Sequence, residues 1–281
     1  MAGKALVLGG GGLAGIGWSC GILHGLAEAG VDLGDADTVI GTSAGAVVGA
    51  QLTSGRLTHT ALYERQLAAP EGEKAGTLGP GTLFRYARAA LTSRTIEAYG
   101  RRLGKMALAA STPDEATRRA VIAGRLLSHA WPDRRLLITA VQARTGEFRV
   151  FDGSCGVGIV DAVAASCAVP GVWPPVTIDG ARWIDGGMRS PANAQLAEGH
   201  DRVVVLAPVA AGAGVLHAAR TQVARLAAAG ARVTLLTPDR AARRAFGGNS
   251  LDPSCRAPAA RAGREQAAAH VAQVRRTWGS G

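Results

Sequence analysis

Apolar positions along the chain follow two rhythms. Short apolar runs stopped by glycine or proline alternate with stretches in which apolar residues recur at helical spacing, as in strands alternating with helices. Lys4-Ala5-Leu6-Val7-Leu8 predicts a short buried strand ended by glycines, and residues 16–29 predict a helix that stops at Gly30. Asp37 to Ile40 predicts a second strand, Gly41 to Gly45 a tight turn, and Ala46 to Leu52 a helix of small residues. The chain therefore opens as a β-α-β-α series.

From Leu57 to about Trp131 the pattern becomes helical segments broken by loops, including a Gly/Pro/Glu-rich stretch at 70–81. It reads as a helical insertion covering the site rather than a separate domain. One helix start is signalled by Thr112 as N-cap, Pro113 in the first position and Asp114-Glu115 in the first turn. Strand character returns at Leu136 to Val141 and Glu147 to Phe151 around Arg144-Thr145-Gly146. It recurs at Val176 to Ile178 and Ala181 to Ile184 around Asp179-Gly180. Val203 to Ala207 and Val233 to Thr237 predict further buried strands, and 258–278 an Ala- and Arg-rich tail helix. The expectation is one domain over residues 1–281. It is a three-layer α/β/α fold with a mainly parallel central sheet, its site lying where the first two strands run into helices.

Composition changes this picture little. Of 281 residues, 47% are hydrophobic and 19% charged, enough apolar material for a large core. The net charge of +10 favours anionic partners. Its arginines are dispersed in pairs such as Arg101-Arg102 and Arg243-Arg244 with no nucleic-acid module, so no nucleic-acid partner is expected, while transient contact with an anionic membrane surface is allowed. Cys20, Cys155, Cys167 and Cys255 lack pair spacing and are expected as thiols. The apolar start is too short for a signal peptide or a span, so the expected location is cytoplasmic, at most peripheral to a membrane.

Three constellations carry chemistry. Gly9-Gly10-Gly11-Gly12-Leu13-Ala14-Gly15 lies between a strand and a helix, where glycines leave N–H groups facing an empty space at a positive helix end. Gly10, Gly12 and Gly15 also satisfy G-x-G-x-x-G, which keeps a dinucleotide-binding module open, with Asp32 or Asp35 as its acidic residue. Gly41-Thr42-Ser43-Ala44-Gly45, again between strand and helix, has the form of a nucleophile elbow, with small residues two before and two after the serine. The Ala44 amide would join the glycine-loop amides as an oxyanion donor. Trp183-Ile184-Asp185-Gly186-Gly187 places a carboxylate at the end of a hairpin strand. Alone it reads as a turn; beside Ser43 it can serve as base. His200, His217 and His270 are the late histidines that an ordinary triad would draw on, and none sits in a supporting motif. Cys20 and His24 share a helix face, but no second ligand pair accompanies them, and no metal is expected.

In kind and order, the loop at 10–15, the elbow at 41–45 and Asp-Gly-Gly at 185–187 resemble the three motifs of patatin-like phospholipases. Ala165-Ser166-Cys167-Ala168-Val169-Pro170 with Pro174-Pro175-Val176 is similar to the segment that precedes the family's aspartate. The likeness runs more loosely through Gly30 to Gly55 and Val203 to Pro208. Thr237-Pro238-Asp239 and Leu251-Asp252-Pro253 are like the tails of bacterial members. The resemblance implies a serine acyl hydrolase acting on lipid or ester substrates without a cofactor. Ser43 matches its nucleophile, Asp185 its partner in a histidine-free dyad, and Gly10, Gly11 and Gly12 its oxyanion loop. Ala14 stands where members often carry Arg or Lys, which removes a charge near the oxyanion or a lipid headgroup. A non-catalytic lipid-binding module is the remaining reading.

Overall fold

The computed structural model describes residues 3–69, 75–212 and 214–279; residues 70–74, the first part of the Gly/Pro/Glu-rich stretch, lie outside the described set. Its strands are β1 (Lys4–Leu8), β2 (Thr38–Gly41), β3 (Arg135–Gln142), β4 (Phe148–Phe151), β5 (Val176–Ile178), β6 (Ala181–Asp185), β7 (Arg202–Leu206) and β8 (Arg232–Leu236). They form one sheet in which β3-β2-β1-β7-β8 run parallel, while β4 and β6 pair antiparallel with β3, and β5 antiparallel with β6. The expected mainly parallel α/β sheet is present, with an antiparallel flank.

Alternate residues of each strand point to opposite faces. Leu6, Leu8, Val39, Leu136 and Ile138 join one core with α1 (Gly12–Glu28), α2 (Ala44–Thr53), α7 (Ile159–Ser166) and α10 (Arg256–Ala267). Ala5, Val7, Ile40, Leu137 and Val205 face the other way, against Ala219 and Leu226 of α8 (Ala219–Ala228). On that second side, α4 (Pro80–Thr92) and α5 (Ile96–Ala109) cover Val141 and Ile184 of the antiparallel flank. The remaining helices are α3 (His59–Leu67), α6 (Glu115–Arg125), α9 (Arg240–Phe246) and α11 (Val271–Trp278). Helices thus cover both faces of the sheet, giving the three layers.

Helix α2 starts at Ala44 and the tail at Arg256, each two residues earlier than predicted, and two other helix starts move further or change their cap. Helix α1 begins at Gly12, four residues before the apolar periodicity begins, and Gly12 itself has a φ of +64° that a side chain would strain. Helix α6 is capped by Asp114, whose Oδ1 accepts from Thr117 N–H at 2.7 Å, not by Thr112. Pro113 keeps the residue before it extended and so lies outside the helix, and a carboxylate is as good a cap as a hydroxyl at the positive end. The tail is core, not appendage: α10 crosses α1 so closely that a Cβ on Gly21 would overlap the Ala260 carbonyl, and buried Trp18 Nε1–H donates to Gln266 Oε1 at 2.8 Å.

Strand β3 organises the site. Ile138 pairs with Gly41 of β2 on one side and Phe151 of β4 on the other, while Ala140 pairs with Asp185 of β6 and Arg149 of β4. Since β4 takes one edge throughout, β2 and β6 share the other edge, entering from opposite directions. Their C-terminal ends meet across Thr139.

Candidate active site

Ser43 leaves β2 with φ 54° and ψ −116°, a conformation sparsely populated by non-glycine residues, and opens α2 directly. The surroundings over-determine it. Thr42 N–H donates to Leu8 O at 3.0 Å, Ser43 N–H to Ser166 Oγ at 2.9 Å, and the Cys167 thiol contacts Ser43 O at 3.4 Å. A Cβ at Gly45 would overlap the Leu8 carbonyl, and one at Gly41 would come 2.6 Å from Ala46 Cα, so both small positions of the motif are steric requirements. Ser43 is 8% exposed. It opens on a cleft walled by Leu13, Ile16, Val169, Trp173 and Leu251, with the Arg118 guanidinium stacked 3.8 Å over the Trp173 ring.

Asp185 ends β6 and is 2% exposed. Its N–H donates to Ala168 O at 3.0 Å and its Oδ1 accepts from Gly187 N–H at 2.7 Å. Burial pushes the carboxyl up to about 7, against the opposing hydrogen bonds from the Ser43 side chain and the Gly187 amide. A carboxylate poised near neutrality and hydrogen-bonded to a hydroxyl can take that hydroxyl's proton. Gly186 has no room for a side chain, since a Cβ would run into Thr139. Burial also raises Cys167, to about 12, with the Asp185 charge second, so this neighbouring sulfur stays a thiol.

The glycine loop supplies donors at the N-termini of two helices whose first turns touch: a Cβ on Gly15 would lie 3.5 Å from Ala44 Cβ. One expected donor is occupied. Gly10 N–H donates to Pro191 O at 2.8 Å, because the loop after β6 passes beside the end of β1, and a Cβ on Gly10 would lie 3.4 Å from Ser43 Cβ. Among the described residues no backbone acceptor takes the Gly11, Gly12 or Ala44 amides. Ala14 is buried, its N–H donating to Ser250 O at 3.1 Å.

Among the described residues no hydrogen bond joins a histidine to Ser43. His200 bonds Thr38 Oγ1 at 3.0 Å and Ala197 O at 3.1 Å, at the opposite end of β2. His217 lies in the loop before α8, and His270 ends a short 3-10 turn, 3.4 Å from Gln266 Nε2. Buried His24 stacks on Tyr63 and pairs with Glu28, Cys20 is fully buried, and no group of metal-ligating side chains occurs among the described residues. The dinucleotide reading loses its acid: Asp32 bonds Gly34 N–H and Asp35 accepts from Trp278 Nε1–H, beside the start of β1, while the glycine loop is at its end.

One residue of the site had no signal in the sequence. Asn193, fully buried at φ 52°, points its Nδ2 at Ser190 O (2.9 Å), Thr42 Oγ1 (3.0 Å) and Gly186 O (3.2 Å). Two carbonyls fix the amide orientation, since Oδ1 in the same place would face both. The Thr42 hydroxyl accepts from Asn193 and shares a hydrogen bond with the Thr139 hydroxyl at 2.9 Å. This chain ties the residue before Ser43 to the residue after Asp185. Read in sequence, Asn193 is one more polar residue after a turn.

Among curated proteins none matches the chain. Of solved structures, VipD from Legionella pneumophila is similar at 15% identity and TM-score 0.48, over 97% of this chain and 67% of that one. The type III effector protein ExoU is similar at 18% identity and TM-score 0.42, over 96% and 53%. The chain spans about two thirds of the former's length and about half of the latter's. The patatin-like phospholipase family model matches residues 6–198, which include the glycine loop, the elbow and Asp-Gly-Gly. On that match over more than half its length, the chain belongs to the patatin-like phospholipase family, a family of lipid acyl hydrolases.

Proposed function

We propose that the protein hydrolyses lipid acyl esters with Ser43 as nucleophile and Asp185 as its base, without histidine. The observation that carries this reading is the meeting of a strained, nearly buried serine with a carboxyl of raised pKa at two converging strand ends. Asp185 takes the Ser43 hydroxyl proton as Oγ attacks the ester carbonyl, and the tetrahedral oxyanion is held by the Gly11, Gly12 and Ala44 amides. Collapse expels the alcohol, which receives the proton back from Asp185. Water, deprotonated by Asp185, then releases the acyl group and restores Ser43.

Leu13, Ile16, Val169, Trp173 and Leu251 give Ser43 an apolar wall; the space between them is only about 20 Å³, so an acyl chain has to part these side chains to enter. Arg118 and Arg125 border the same cleft and bring cationic side chains to it. A cytoplasmic enzyme meeting lipid from the water side fits the sequence, and no helix among the described residues is long and apolar enough to cross a membrane. The test is hydrolysis of p-nitrophenyl esters of graded length beside a phospholipid panel, with Ser43→Ala as the blank. Turnover confined to the unaltered protein supports the assignment; turnover surviving in the blank removes it.

A further inference from the structure

Helix α4 leaves part of its apolar surface uncovered. Its inner residues Tyr86, Ala89 and Ala90 pack with α5, Val141 and Ile184. On the opposite stripe Phe84, Arg88 and Leu91 fall at i, i+4 and i+7. Phe84 is 69% exposed, Leu91 75%, and Leu83 beside them 51%, the most exposed large apolar side chains among the described residues. A clustered apolar surface of this kind marks an interaction site.

The charge around it has one sign. Between residues 75 and 111 the chain carries Arg85, Arg88, Arg94, Arg101, Arg102 and Lys105 against Glu97 alone, and all six cations are exposed. A helix with phenylalanine and leucines ringed by arginines suits the boundary between water and anionic lipid, the apolar groups entering the acyl region and the guanidiniums meeting phosphates. Its position agrees. Tyr86 Oη donates to Pro170 O at 2.8 Å, and Leu78, just before the helix, packs with Val172, Trp173 and Leu251 at the mouth of the serine cleft.

We propose that the outer face of α4, Leu83, Phe84 and Leu91 ringed by Arg85, Arg88 and Arg94, docks the protein on an anionic lipid bilayer beside the cleft. The role of this docking rests on the acyl-hydrolase reading, but its test does not need turnover. Ser43→Ala protein is co-sedimented with vesicles of phosphatidylcholine alone and of phosphatidylcholine with phosphatidylglycerol. Binding to the anionic vesicles is expected to weaken with salt. It should fall at least about tenfold in Phe84→Ser/Leu91→Ser, and to a similar extent in Arg85→Gln/Arg88→Gln. With Ser43 restored, neither pair touches the cleft, and both should hydrolyse a water-soluble short-chain ester at the unaltered rate. Absent binding, equal binding to both vesicle types, or unchanged binding by the variants would overturn the proposal. So would a dimer, seen by sedimentation velocity, that the variants dissociate while vesicle binding persists. Failure of the hydrolase reading would appear instead in the soluble-ester assay.

Discussion

Helices α1 and α4 are both rich in apolar residues, yet one is enclosed and the other half bare. From Gly12 to Ala27, α1 carries no charged residue, and its glycines let the backbone of α10 approach. Helix α4 mixes Arg85 and Arg88 among Leu83, Phe84 and Leu91 and covers the sheet with Tyr86, Ala89 and Ala90. A helix apolar all round has to be buried, whereas one that keeps apolar and basic side chains together in water retains a face for something else. In the proposed function the enclosed side holds the chemistry, and the bare side borders it.

The contrast can be broken in several places. The largest expected effect is chemical: Ser43→Ala and Asp185→Asn should each lower ester hydrolysis by at least about a thousandfold, with circular dichroism unchanged. Rates near the unaltered value in either variant would detach the chemistry from the enclosed side.

Next comes pH. The Asp185 carboxyl titrates at about 7 when folded, against 3.8 for the ordinary group. Between these values the unfolded chain has lost the proton that the folded protein keeps, so this group's contribution to stability falls as pH rises, by up to about 4 kcal/mol. Urea unfolding at pH 5 and pH 8 should show about 2–3 kcal/mol of that fall in the unaltered protein and a flatter profile in Asp185→Asn. Activity should move oppositely, rising with pH through about 7 as the base becomes a carboxylate.

Packing should follow the same division. Gly21→Ala, which sets a methyl against the Ala260 carbonyl, should cost about 2–4 kcal/mol, while Leu91→Ser on bare α4 should change unfolding free energy by no more than about 0.5 kcal/mol. A smaller effect is expected from the buried tie. Asn193→Ala and Thr42→Val should lower kcat by about ten- to a hundredfold with KM little changed, and Thr42→Ser, which keeps the hydroxyl, should restore most of it. Equal losses in Thr42→Ser and Thr42→Val would make the threonine a packing residue only.

Much of this was legible along the chain. The strand-glycine-helix series, the elbow glycines and the hairpin ending in Asp185 are local patterns, set by periodicity and turn chemistry over a few residues. What stayed hidden depends on pairing at long range. Nothing near Asp185 says that β6 continues the edge of β3 where β2 stops, or that Pro191 will occupy the Gly10 amide. The spacing of Gly17, Gly21 and Gly25 was readable, but its partner lies over two hundred residues away in α10. The Ala-rich run around Ala218-Ala219 does not tell where its helix begins, which is at Ala219.

The central claim, a serine activated by aspartate alone, is tested most directly by fluorophosphonate labelling followed by mass spectrometry. The account predicts a single adduct on Ser43, formed at the unaltered rate when His200, His217 and His270 are replaced together and abolished in Asp185→Asn. An adduct that persists in Asp185→Asn, or vanishes in a folded triple-histidine variant, would contradict it.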